Sequence, residues 1–237
     1  MKKLYLKSPL AFAILWICIY VIGTSITQML DSTLVLPNII TLAFHIITTA
    51  FLFVWLKSSA LLKYYGISRP EISAKRLLFY IPLIAAVSCN LWFGVKLNCG
   101  ITESVFLVLS MLCVGFLEEV IFRGFLFRAM EKDGLKSAVI VSSIAFGIGH
   151  IINLLNGTGA PLETSLQIIT AIGFGFLFVI IFIKTKSIIP CILAHSTINT
   201  LSVFANESGG AVAEIITSAV LLLLTVTYSL YIIKRVK

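Results

Sequence analysis

The stretch that decides the fold runs from Val105 to Phe127 and reads VFLVLSMLCVGFLEEVIFRGFLF. Fifteen of its residues are Val, Ile, Leu or Phe, yet Glu118, Glu119 and Arg123 stand in its second half. On insertion scales three such charges near a bilayer centre cost about 7–10 kcal/mol together. The apolar residues around them return about 5–9 kcal/mol. The segment is near balance, so it enters a membrane only if its charges face other helices or trapped water. Charges retained at that cost point to chemistry.

The rest of the chain repeats the apolar pattern. Mean hydropathy is +1.07 and 59% of the 237 residues are hydrophobic. A helix needs about 20 apolar residues to cross the hydrocarbon core. The sequence predicts about eight transmembrane helices, near Pro9–Leu30, Pro37–Leu56, Leu77–Val95, Ile101–Phe127, Ser137–Leu155, Ser165–Ile183, Ile188–Phe204 and Ala211–Ile233. Proline, glycine and polar clusters, such as 156–161, separate them. The expected fold class is therefore all-α, a polytopic integral membrane protein.

The net charge of +8 is topological. In an eight-span arrangement with both termini cytoplasmic, every Lys and Arg except Lys96 falls on the inner side. This pattern argues against a nucleic-acid-binding surface. Lys2 and Lys3 precede an apolar run that is long for a signal core and has no clear cleavage site, so the first span reads as uncleaved. The compact length points to a bacterial plasma membrane. Cys18, Cys89, Cys99, Cys113 and Cys191 have no CxxC spacing. They read as free thiols, with the four inside predicted spans buried. The inner loop from Lys57 to Arg76 reads equally as a segment lying on the inner leaflet and as a solvated connector.

Polar residues recur at helical spacing in the later spans. Glu119 and Arg123 are four apart and share a face, so they are expected to pair. Glu118 is turned about 100° away and lacks that local counter-ion. Burial without a close cation makes a carboxylate a better proton acceptor. The fifth span carries Phe146 and His150, with small residues at Ser142, Ser143, Ala145, Gly147 and Gly149 that permit close helix approach. The seventh carries His195 and Asn199, which share one face. His45 stands apart and reads as a hydrogen-bonded packing residue. A base, two imidazoles and an amide at compatible depth on three spans suit peptide hydrolysis, which needs an activated water and donors for the oxyanion.

Taken in order, Glu118-Glu119-x-x-x-Arg123, Phe146-x-x-x-His150 and His195-x-x-x-Asn199 resemble the CPBP family of intramembrane proteases. That family includes the CAAX prenyl endopeptidases and the bacteriocin-processing and self-immunity (Abi) proteins. The resemblance divides the chain into N-terminal helices at 1–100, a catalytic helix core at 101–204 and a last helix at 205–237. It implies Glu118 as general base with His150, His195 and Asn199 as oxyanion donors, and Glu119, Arg123 and Phe146 as support. Glu118, His150 and His195 are also a possible His₂Glu zinc set. There is no HExxH, however, and Asn199 beside His195 suits an oxyanion donor, so a metal-free mechanism without cofactor is favoured. The implied substrate is a membrane-bound peptide or a lipidated protein, cut near the cytoplasmic leaflet. Two alternatives are a non-catalytic immunity or regulatory membrane protein and a small proton-coupled transporter. The transporter reading lacks paired broken helices.

Overall fold

A computed structural model describes residues 2–35, 37–206 and 210–236. Among them are helices, turns and one isolated antiparallel bridge, Val95 to Ala205. After a short helix Lys2–Lys7 come α1 (Pro9–Asp31), α2 (Ile39–Ser58), a broken α3 (Ala74–Leu91), α4 (Ile101–Glu131), α5 (Leu135–Leu155, interrupted at His150), α6 (Pro161–Thr185), α7 (Ile189–Ser202) and α8 (Gly210–Arg235). Seven of these, all but α7, are long and apolar enough to cross a membrane. The protein is all-α and an integral, multi-pass membrane protein. Leu36 and 207–209, in the expected connections Asp31–Leu36 and Ala205–Gly210, lie outside the described residues.

Local chemistry sets the helix ends. Ser8 caps α1 by accepting from the Ala11 amide at 3.2 Å, with Pro9 in the first helical position. The buried Asp31 carboxylate accepts from the amides of Ile40 and Thr41, both at 2.9 Å, at the start of α2. Pro161 opens α6 and Pro190 falls in the first turn of α7.

Two spans differ from expectation. The third is not a continuous helix: Leu78, Phe79 and Tyr80 have φ of 50°, 51° and 60°, and regular helix resumes only at Ile81–Val87. Pro82 is the physical reason, because its ring clashes with the carbonyl four residues back, at Leu78, and it offers no amide proton. The buried Tyr228 hydroxyl donates to the Leu77 carbonyl at 2.6 Å and so pins the break to α8. The seventh predicted span forms a helix of only 14 residues, about 21 Å long.

Hydrogen bonds and ring contacts gather one end of the bundle. Tyr5 packs edge-on against Trp55 at 5.5 Å and Tyr65 at 6.5 Å. The loop after α2 is tied to the α6–α7 turn: Ile188 donates to the Gly66 carbonyl and Glu71 to that of Thr185, each at 2.8 Å. Ser187 Oγ donates to the Ser68 carbonyl at 2.5 Å, and Lys184 Nζ to that of Val236 at 2.5 Å. The stretch expected as a leaflet segment or solvated connector is therefore part of the bundle's end. Both described ends of the chain lie there, with Lys57, Lys63, Lys184 and Lys186.

An aromatic cluster above that end holds α1 against α4. Phe12 meets Phe125 at 5.0 Å and Trp55 at 5.1 Å, and Tyr65 meets Phe125 at 5.0 Å. Outward faces stay apolar, as Ile22, Ile47, Val54 and Leu223 show, which suits a lipid surround. The fully buried side chains include two that a soluble core rarely holds: Glu119 and Arg123 are both 0% exposed. All five cysteines are free, but only Cys89 and Cys191 are buried. Cys18 is exposed and Cys113 half-buried, because their helix faces turn outward.

Candidate active site

Midway along α4 the backbone widens from α-helix into a π-helix over Glu119–Leu126. A π-turn closes its hydrogen bonds one residue further along and often marks a functional site. Here it spans both members of an ion pair. Arg123 Nη1 lies 3.1 Å from Glu119 Oε1, so the expected pairing is present. Serine chemistry supports the widened turn: Ser142 Oγ, from α5, donates to the Phe122 carbonyl at 2.9 Å.

The pair is the start of a longer chain of charges and donors. The same Glu119 oxygen accepts from His195 Nδ1 at 2.8 Å. Because a carboxylate only accepts, Nδ1 carries the proton and the ring is fixed with Nε2 turned the other way. Nε2 stands 3.4 Å from Glu118 Oε2, and the other Glu118 oxygen accepts from the Tyr20 hydroxyl at 2.6 Å. From end to end the order is Arg123, Glu119, His195, Glu118, Tyr20, drawn from α4, α7 and α1. Donors and acceptors alternate along it, which is how buried polar groups offset their desolvation cost. The expectation that Glu118 lacks a helix-local counter-ion holds, and neighbouring helices supply its partners.

Phe146 is the hub of the apolar surround. The Arg123 guanidinium lies 4.1 Å from its ring centroid and 5.3 Å from that of Phe178. Cation–π contact replaces hydrogen bonds for much of this side chain. The rings of His150 and His195 meet Phe146 edge-on at 5.6 and 5.5 Å. His150 thus shares a surface with His195, at the break between the two halves of α5, but makes no side-chain hydrogen bond among the described residues. Asn199, one turn along α7 from His195, likewise keeps its side-chain amide free among them.

His150, His195, Asn199 and Phe146 line a cavity of about 390 Å³. Its walls continue through Gln167 and Phe174 to Glu163, Asn206 and Glu214. Those last residues lie by the N-terminal ends of α6 and α8, so the cavity runs from the site toward the end opposite the chain termini. Glu118 is not part of this wall. No group of three His, Cys, Asp or Glu among the described residues is arranged to hold a metal ion. Glu118, His150 and His195 thus do not gather into a metal-ligating group among the described residues.

Sequence reasoning did not find three contributors. Tyr20 sits on the first span among ordinary aromatics, with no polar spacing to mark it. Gly115 lets α7 approach α4: a Cβ there would lie 2.2 Å from Ser196 Oγ and 2.6 Å from Ser196 N. That contact carries His195 to the two glutamates. The π-turn has no composition of its own. Of the small residues expected to admit a neighbour, Gly147 does so against Ile172, while Gly149 meets nothing within 4 Å. His45 is a packing residue as expected, with Nδ1 2.7 Å from Ser110 Oγ and Nε2 3.0 Å from Thr24 Oγ1.

Residues 100–201 match the family model for Rce1-like, type II CAAX prenyl endopeptidase Rce1-like, proteins. This is the family to which the three motifs point, and the match covers all of them. It supports an intramembrane endopeptidase in general. No curated protein and no solved structure matches the chain.

Proposed function

From the match of residues 100–201 to the Rce1-like CAAX prenyl endopeptidase family model, we propose that the protein hydrolyses a peptide bond of a membrane-associated peptide or lipidated protein by a metal-free glutamate mechanism. The observation that carries this reading is the buried chain from Arg123 to Tyr20, which sets Glu118 against His195, a residue that lines one cavity with His150 and Asn199.

In this reading a water held near His150 attacks the scissile carbonyl carbon as Glu118 takes its proton. The carbonyl oxygen becomes an oxyanion held by the Asn199 amide and by His195 Nε2, which donates when the imidazole is doubly protonated. At 3.4 Å from Glu118, Nε2 is beyond ordinary hydrogen-bond length, so it is open to the reacting carbonyl. Glu119 keeps the imidazole oriented through Nδ1 and offsets its charge when it is doubly protonated, and Arg123 holds Glu119 in place. The C–N bond then breaks as Glu118 returns its proton to the leaving nitrogen. A protein that only bound a partner would have no use for this costly arrangement.

Comparative peptidomics of host cells carrying wild type or Glu118→Gln at matched membrane levels tests the proposal. Peptides or trimmed termini that appear only with wild type are the expected result, because the amide keeps the shape and loses the base. Identical profiles would overturn it in favour of an immunity or regulatory role.

The cavity's course favours a second reading of how substrate arrives. Cleavage near the cytoplasmic leaflet follows from His195 lying six residues into α7, about 9 Å from the basic end. The cavity, by contrast, opens toward the other end. Collecting products separately from cells and medium decides between them. Products confined to cells support the cytoplasmic side, and products released to the medium support entry from the opposite end.

A further inference from the structure

The two oxygens of Glu118 are not equivalent. Oε1 accepts from the Tyr20 hydroxyl at 2.6 Å, while Oε2 faces His195 Nε2 at 3.4 Å, too far for a full hydrogen bond. Tyr20 is 7% exposed and Glu118's side chain 12%, so water does not readily substitute for the phenol. The phenol also cannot swing away. Its helix is fixed to α4 by the contact of Phe12 with the Phe125 ring, and its own ring lies 6.0 Å from that of His45. His45 is itself held by Thr24 of α1 and Ser110 of α4.

Resting on the reading of Glu118 as the base, we propose that Tyr20 is a positioning residue of the site: its hydroxyl occupies Oε1, fixes the carboxylate rotamer and leaves Oε2 as the oxygen that takes the proton. The consequence is architectural. Tyr20 lies outside residues 100–201, the segment that matches the family model. The catalytic unit of this chain therefore includes its first membrane helix, which supplies the donor that orients the base. A short hydrogen bond to a charged, buried acceptor is among the stronger contacts a protein makes. Its loss leaves the shape of the site intact and frees the carboxylate to rotate.

The experiment compares full-length wild type, Tyr20→Phe, Ser25→Ala and Glu118→Gln in lipid vesicles. One readout is infrared difference spectroscopy, with the Glu118 carboxylate band identified by its absence in Glu118→Gln. The other is the rate at which the wild-type-dependent peptides are released. Tyr20→Phe is expected to move the carboxylate band and to slow turnover by about 10- to 100-fold, with its thermal midpoint close to wild type. Ser25→Ala removes the hydrogen bond that Asn156 donates to the same helix, and is expected to lower the midpoint while leaving band and rate in place. An unmoved band and a wild-type rate in Tyr20→Phe overturn the role of Tyr20. A rate loss in Tyr20→Phe matched by Ser25→Ala also overturns it, because general loosening of α1 would then be the cause. Full activity of Glu118→Gln brings down the reading of the base itself, and the unmoved or moved band still reports separately on the Tyr20 contact.

Discussion

Arg123 is fully buried, and none of its guanidinium nitrogens makes a full hydrogen bond among the described residues. Its charge is balanced by Glu119 at 3.1 Å and spread over the faces of Phe146 and Phe178. Removing one partner of a buried pair typically costs about 3–5 kcal/mol, because the other charge is stranded. Arg123→Ala is therefore expected to reduce the amount of protein in the membrane as well as activity. Arg123→Lys is expected to recover accumulation only in part, since an ammonium keeps the charge but not the planar stack between two rings. Immunoblots of membrane fractions and melting in detergent check both, and normal accumulation of Arg123→Ala would remove the pairing from the account. The pair itself was legible in sequence, because four-residue spacing holds on almost any helical turn. The bridge from Glu119 to His195 was not, because 76 residues separate them and only packing of α7 on α4 brings them to 2.8 Å.

At the scale of elements, the decisive contact is that packing. Ser196 rests on Gly115, and its hydroxyl donates to the Leu112 carbonyl at 3.1 Å. A methyl group at Gly115 would strike backbone atoms of α7 that have nowhere to go. Gly115→Ala should cost about 1–3 kcal/mol through overpacking and shift His195 away from the glutamates. Displacement of a catalytic group by even 1 Å reduces rates by about 100-fold. Gly100→Ala, where nothing lies within 4 Å, is expected to behave as wild type. Turnover of the two variants at equal protein, with melting points, checks the pair. Equal activities would mean that α4 and α7 slide without consequence. Sequence reading saw glycines as permissive spacers and named Gly147 and Gly149. It had no means to rank Gly115 above them, since the partner surface is 81 residues away by number alone. The break in α3 was foreseeable in principle from Pro82, but hydropathy over the window concealed it.

For the whole molecule, the basic residues and both described chain ends gather at one end of the bundle, and the cavity reaches toward the other. The positive-inside pattern expects the basic end to face the cytoplasm. Single cysteines at Lys132 and at Asn156, in a chain whose native cysteines are replaced, test this with a maleimide that cannot cross the membrane. In intact cells Asn156→Cys is expected to be labelled and Lys132→Cys to react only after permeabilisation. The reverse result inverts the orientation and with it the side from which substrate is taken.

The sequence by itself determined the class of the protein, an all-α bundle in a membrane, because hydrophobic length and the placement of Lys and Arg act locally and need no partner. It also determined which side chains would be held in common, since Glu118, His150, His195 and Asn199 are too costly in lipid to be incidental. Only the tertiary structure decided how they are joined. It placed His195 between two carboxylates and set Glu118 against Tyr20 of the first helix. It also widened α4 into a π-turn. Each depends on distances between elements remote in the chain, and these follow from how ridges, glycines and aromatic rings pack together, which no local pattern of residues encodes.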